Sequence, residues 1–98
     1  MTKGYWVSVY RTISDPERLT AYDKLAGPAV RAAGGRLLAG SGSRVVAHEA
    51  GNTHRVVLIE FDSFDQAVAA YDSELYQKAL AVLSDSVERD FRIVEGLD

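Results

Sequence analysis

Cysteine is absent from the 98 residues, which excludes a disulfide scaffold, a thiol nucleophile, a thiolate metal site and a cysteine-ligated iron–sulfur cluster. The absence suits a reducing compartment, so the cytoplasm is the expected location. Histidine is scarce as well, with 2 in the whole chain, and no metal or other cofactor is expected. No apolar run approaches the roughly 18 residues of a membrane span, and Met1-Thr2-Lys3-Gly4 is not followed by a signal-peptide core, so neither a membrane partner nor export is expected. Basic charge is not in excess. Against 14 acidic residues stand 11 lysines and arginines, the net charge is −3, and the arginines are scattered, so nucleic acid is an unfavourable partner. No Gly-x-Ser-x-Gly elbow is present, and Gly40-Ser41-Gly42-Ser43 is neither that nor a phosphate loop with its lysine.

What is present reads as one compact domain over residues 1–98. Apolar side chains make up 47% and charged ones 26%, and two domains of half this length would each fall below the size that holds a core. Residues 5–10 are β-branched or aromatic apart from Ser8 and predict a strand covered on both faces. Ser14-Asp15-Pro16-Glu17 then supplies a cap, a first-turn proline and an acidic residue favourable to the helix dipole. From Leu19 to Ala33 apolar residues recur at helical spacing, with Gly27-Pro28 expected to kink or divide the helix and Gly34-Gly35 expected to end it. Residues 36–39 and 44–49 look like strand on either side of a Gly-Ser bulge or loop. Gly51-Asn52 reads as a two-residue hairpin turn joining 44–49 to 54–61, with His48 opposite Arg55. Ser63 with Gln66 resembles a capping box, Asp72-Ser73-Glu74 a second cap within the following helical stripe, and residues 90–95 alternate as a last strand.

The order is β-α-β-β-α-β, a ferredoxin-like α+β fold with a four-stranded antiparallel sheet and two helices, kinked or divided, on one face. Both faces of the predicted hairpin are apolar in the middle, with Val46, Val57 and Ile59 on one and Val45, Val56 and Leu58 on the other. The helices cover one face only, and burying each large side chain is worth roughly 1.5–3 kcal/mol, so a homodimer pairing its sheet faces is expected.

Several segments, in this order, resemble a known family. They are Gly4-Tyr5-Trp6, Asp15-Pro16-Glu17 before Tyr22, Pro28, Gly34-Gly35-Arg36, Arg55-Val-Val-Leu-Ile-Glu60-Phe61, Tyr71-Asp72-Ser73-Glu74-Leu75-Tyr76 and Ile93-Val94-Glu95-Gly96. Together they resemble the bacterial family named domain of unknown function number 1330, over nearly the whole chain. The resemblance implies the dimeric α+β-barrel superfamily of ferredoxin-like subunits paired through their sheets. Residues 39–43 and 51–54 depart from the family's usual pattern. Better-understood members of that superfamily include cofactor-independent monooxygenases, haem-degrading enzymes, polyketide cyclases and muconolactone isomerase, and they keep their substrates between helices and sheet.

Two sets of residues follow as candidates. His48 beside Arg55 on one sheet face offers a neutral base next to a cation that can hold a carboxylate or enolate, and Glu60 is a carboxylate flanked by Ile59 and Phe61 that must be paired, solvated or functional. Trp6, Tyr10, Tyr22, Tyr71 and Tyr76 give a small interior several rings with polar handles, suited to binding an aromatic or polyketide-like molecule. Two readings stand side by side. One is a cofactor-independent acid/base enzyme acting on a small organic molecule, of isomerase, cyclase or monooxygenase type. The other is a non-catalytic dimer that binds such a ligand or serves as an accessory subunit.

Overall fold

A computed structural model describes residues 2–97 of the chain. The elements are β1 (Gly4–Ile13), α1 (Pro16–Ala32), β2 (Arg36–Ala39), β3 (Val56–Phe61), α2 (Phe64–Tyr71), α3 (Glu74–Leu83) and β4 (Val87–Glu95). All four strands join one antiparallel sheet in the order β2-β3-β1-β4, the ferredoxin-like arrangement expected from the element order.

Local chemistry sets the helix starts. The Asp15 carboxylate accepts from the Arg18 N–H at 3.1 Å, and Pro16 follows where a missing N–H costs nothing. Ser63 and Ser73 cap α2 and α3 in the same way, accepting from Gln66 N and Tyr76 N. The stripe after Ser63 is therefore two helices divided at residues 72–73. Gln66 does not complete a reciprocal box, because its amide donates to the Ala33 carbonyl at 3.0 Å and ties α2 to the end of α1. Gly27-Pro28 does not divide α1, which runs unbroken through Pro28. That proline is exposed, and the bond it forgoes is the one to the Lys24 carbonyl. Gly34, at φ +90°, closes the helix as expected.

The strand register decides what faces the helices. Trp6 lies between Ile59 and Ile93, Ser8 between Val57 and Phe91, and Tyr10 beside Arg89. This face packs under α1, α2 and α3 around a core of Trp6, Tyr10, Tyr22, Phe61, Tyr76 and small residues such as Ala67 and Ala79. At the start of β1 the sheet touches α2 so closely that a Cβ on Gly4 would stand 2.6 Å from the Ser63 carbonyl oxygen. The opposite face carries Tyr5, Val7, Val9, Val56, Leu58 and Val94, of which Val9 and Val94 are exposed.

The expected hairpin at Gly51-Asn52 does not form. Strand β2 ends at Ala39, after a register shift opposite Leu58, and residues 40–55 form an irregular connection to β3. Its turn residues are satisfied locally instead of by a ladder: the Gly51 N–H donates to the His48 carbonyl at 2.9 Å, and the Asn52 side chain accepts from the His54 N–H at 2.9 Å. Val45 and Val46 consequently lie outside the sheet, and His48 and Arg55 are not cross-strand neighbours.

Candidate functional site

A cavity of about 440 Å³ opens between the helices and the covered face of the sheet. Its floor comes from alternate residues of three strands: Trp6, Ser8 and Tyr10 of β1, Val57 and Ile59 of β3, and Arg89 and Phe91 of β4. Tyr22, Ala26 and Val30 of α1 and Tyr76 of α3 wall it from the helix side, and Leu37 of β2 with Gly40 and Ser41 borders it at the sheet edge. Ala26 and Gly27 are what leave the room, since larger side chains on that stretch of α1 would fill the space above the floor.

Arg89 is the group that distinguishes this cavity from ordinary core. Its Nη1 donates toward Tyr10 Oη at 3.2 Å, Tyr22 Oη at 3.3 Å and Ser8 Oγ at 3.5 Å, and its Nη2 toward Tyr76 Oη at 3.2 Å. The guanidinium lies 4.9 Å from the centroid of the Phe91 ring. No carboxylate pairs with it among the described residues. Tyr22 and Tyr76 share a short hydrogen bond, 2.6 Å between oxygens. Burial pushes the Tyr22 phenol well above its usual pKa, with a further rise from Tyr76 and partial opposition from Arg89. Tyr76 is raised too, again chiefly by burial and against the pull of Arg89. Both are neutral hydrogen-bond donors across the physiological range.

Arg55 forms a second cationic point, carried one residue before β3 by a backbone bond from Tyr10 N to its carbonyl at 3.2 Å. Its guanidinium grips Asp23 of α1 with both Nη atoms, at 2.9 and 2.8 Å, and donates to Tyr10 Oη at 3.0 Å. It also stacks on the Tyr10 ring at 4.5 Å. The Tyr10 oxygen thus accepts from both arginines and stands between them. Two guanidinium charges and one carboxylate meet in this corner, so its balance is positive.

Of the residues singled out from sequence, Trp6, Tyr10, Tyr22, Tyr76 and Arg55 line the cavity. Tyr71 does not: it packs edge-on from α2 against the rings beside the cavity, 6.1 Å from Trp6 and 5.3 Å from Phe91. His48 is exposed in the irregular connection, far from the arrangement the hairpin would have given it. Glu60 faces the other side of the sheet, where Arg36 donates to it from Nε at 3.1 Å and Nη2 at 2.9 Å, and Tyr5 donates at 3.3 Å. The Arg36 guanidinium holds its carboxyl below the usual value despite some desolvation, with Lys3 and Tyr5 helping. Glu60 is an ion-paired strand residue. Arg89 lies one residue before the last strand expected from sequence, which starts at Asp90. Extending the alternation of Phe91 and Ile93 back by one step to residue 89 places it on the same face. Among the described residues no group of three or more His, Cys, Asp or Glu side chains is arranged to hold a metal ion.

The profile of one family, "Domain of unknown function (DUF1330)", matches residues 3–97. The chain belongs to the DUF1330 family. Solved structures similar to this DUF1330 chain share its fold at low sequence identity. One is RPA0582 of Rhodopseudomonas palustris, a protein of unknown function, with a TM-score of 0.74 and 15% identity, covering 99% of this chain and 84% of that one. Another is a dimeric ferredoxin-like protein of unknown function from Thermobifida fusca, with a TM-score of 0.60 and 17% identity over 96% of this chain and 89% of that one. A third, from Nitrosomonas europaea, is described as a candidate antibiotic biosynthesis monooxygenase, with a TM-score of 0.57, 18% identity and full coverage of both chains. No curated protein compared with the chain matches it.

Proposed function

We propose that this DUF1330 protein is a cytoplasmic homodimer that binds a small organic molecule between its helices and its sheet, the ring-bearing part of the ligand on Trp6 and Phe91 and its polar end toward Arg89. The single observation that carries this reading is the cavity itself: about 440 Å³, walled by rings, with a half-buried cation, Arg89, that has no carboxylate partner among the described residues. Sites for small molecules have this mixture of apolar wall and few converging polar groups. A library of small aromatic and polyketide-like compounds, screened by chemical-shift mapping, tests it. Shifts should cluster on Trp6, Tyr10, Tyr76 and Arg89. Binding confined to other surfaces, or no binding across the library, would overturn the proposal.

Between a binding dimer and a cofactor-independent acid/base enzyme, the geometry favours the first. Catalysis needs a proton acceptor at the cavity, and His48 and Glu60 are not there. Asp23, a cavity carboxylate, has both oxygens engaged by Arg55. The enzyme reading draws its support from Arg55, placed where it can hold an enolate, and it requires Asp23→Asn to abolish turnover while leaving ligand uptake intact. The dimer is supported by the open sheet face, with Val9 and Val94 exposed beside Val7 and Leu58, and by the Thermobifida fusca neighbour described as dimeric.

A further inference from the structure

The hydrogen atoms of the cavity identify the polar end of the ligand. Each phenol has one O–H to donate and an oxygen that accepts. Tyr10 Oη already accepts from Arg55 and Arg89, Tyr22 Oη from Arg89 Nη1, and Tyr76 Oη from Arg89 Nη2. Within the 2.6 Å pair one phenol donates to the other, so one of those two hydrogens is used and the other is not. The Tyr10 hydrogen likewise has no acceptor among the described residues. Arg55 Nε is buried and also without a partner, and the two Asp23 oxygens are already taken by the Nη atoms of Arg55. The corner holds a surplus of donors and a deficit of acceptors. Tyr10 and Tyr76 are 0% and 1% exposed, so solvent scarcely serves these donors, and a ligand whose polar end reaches them must bring acceptors of its own or leave buried donors unpaired.

Resting on the binding proposal above, we infer that the phenols of Tyr10, Tyr22 and Tyr76, backed by Arg89, form a cage for an oxyanion, a carboxylate or enolate oxygen that accepts hydrogen bonds and donates none. Arg89 Nη1 serves Tyr10, Tyr22 and Ser8, and Nη2 serves Tyr76 with one of its two hydrogens, so the guanidinium acts chiefly behind the phenols. Its charge polarises the O–H groups that reach the ligand, and the raised pKa values of Tyr22 and Tyr76 keep those hydrogens in place. A ligand hydroxyl, amide NH₂ or ammonium would bring more donors to a site already oversupplied and would meet a positive field. The cage therefore selects by charge and by acceptor character, and the rings select by shape.

Two measurements test this. Crystals soaked in bromide, a monoatomic anion that only accepts, should show anomalous density within hydrogen-bond reach of at least two of the three phenol oxygens, and protein carrying both Tyr10→Phe and Tyr76→Phe should lose it. Among ligands that the screen returns, each acid or enol should bind about tenfold or more tightly than its methyl ester or ether, and Tyr76→Phe should shrink that preference while keeping the ring wall. Carboxylates and enolates are separated by pH, since only the weakly acidic enols should gain affinity as pH rises toward their own pKa. Neutral analogues binding as tightly as their anions would sink the oxyanion cage and leave the cavity reading standing. Absence of bromide from the corner, with no ligand found at all, would remove both.

Discussion

Replacing Arg89 by methionine separates function from stability in this fold. Methionine keeps an unbranched stem against Phe91 and removes the charge. The hydrogen bonds that the guanidinium donates measure 3.2–3.5 Å, which is long, and one nitrogen serves three of them. Removing all of them costs on the order of 1–2 kcal/mol, below what short bonds to a charged donor contribute. Against that stands the cost of keeping a partly desolvated guanidinium with no carboxylate beside it among the described residues, several kcal/mol for a fully buried ion and less here because the cavity is open to solvent. The balance predicts a variant as stable as the parent or more stable by about 1 kcal/mol, which for a domain of this size is a rise of about 4–8 °C in Tm. Ligand and bromide uptake should vanish. Thermal unfolding followed by far-ultraviolet circular dichroism, beside the shift mapping, measures both. A fall in Tm of more than about 8 °C would show that the guanidinium is structural and that the reasoning about an uncompensated cation is wrong.

The paired arginine should behave in the opposite way. Asp23→Ala leaves Arg55, whose side chain is 12% exposed, without its carboxylate, and with Asp23 itself 40% exposed the expected loss is about 1–2 kcal/mol instead of the roughly 3–5 kcal/mol of a fully buried pair, read as a lower midpoint in urea. Glu60 has a folded-state pKa below its ordinary value, so the stability it contributes is present above about pH 4.5 and lost as pH falls through the lowered value; Glu60→Gln should lower Tm at about pH 7 and leave it unchanged at acidic pH, and an equal deficit at both would contradict the Arg36 pairing. Gly4→Ala should cost about 1–3 kcal/mol by chemical denaturation, because its Cβ would meet the Ser63 carbonyl and Phe64 Cα at 2.6 and 2.7 Å, backbone that can move only by shifting α2. Leu58→Asp on the open sheet face should convert a dimer to monomer in sedimentation equilibrium without unfolding it, and an unchanged mass would place the interface elsewhere.

The element order, the helix starts and the two-faced character of β1 were legible because each rests on neighbours in sequence: Asp15 before Pro16, Ser63 three before Gln66, Trp6, Ser8 and Tyr10 at every second position. The connection over residues 40–55 was not. A Gly-Asn pair between apolar runs favours a hairpin only if both runs find a ladder, and here β2 closes at Ala39 while Asn52 and His48 turn their hydrogen bonds inward. Losing that hairpin separates His48 from Arg55 and removes the base from the predicted pair. Glu60 reads from sequence as a carboxylate in need of a partner, but Arg36 pairs with it across β2 and β3, a contact set by register and invisible in spacing. The cavity corner is likewise a product of register, since Tyr10 and Arg89 lie 79 positions apart and meet as cross-strand neighbours.

Trp6 is the sole tryptophan, 1% exposed, with its indole N–H bound to the Ala67 carbonyl at 2.8 Å and Phe61, Tyr76 and Phe91 around it. Because that ring also lines the cavity, the protein carries an intrinsic optical reporter at its own binding site. In the folded chain its emission is expected at short wavelength, with energy passing to it from the adjacent tyrosines, and it should move to longer wavelength only when the core opens. An absorbing aromatic ligand held in the cavity would quench it by energy transfer without that shift. A single spectrum therefore separates occupancy from unfolding, with no label and no second site to confuse the signal.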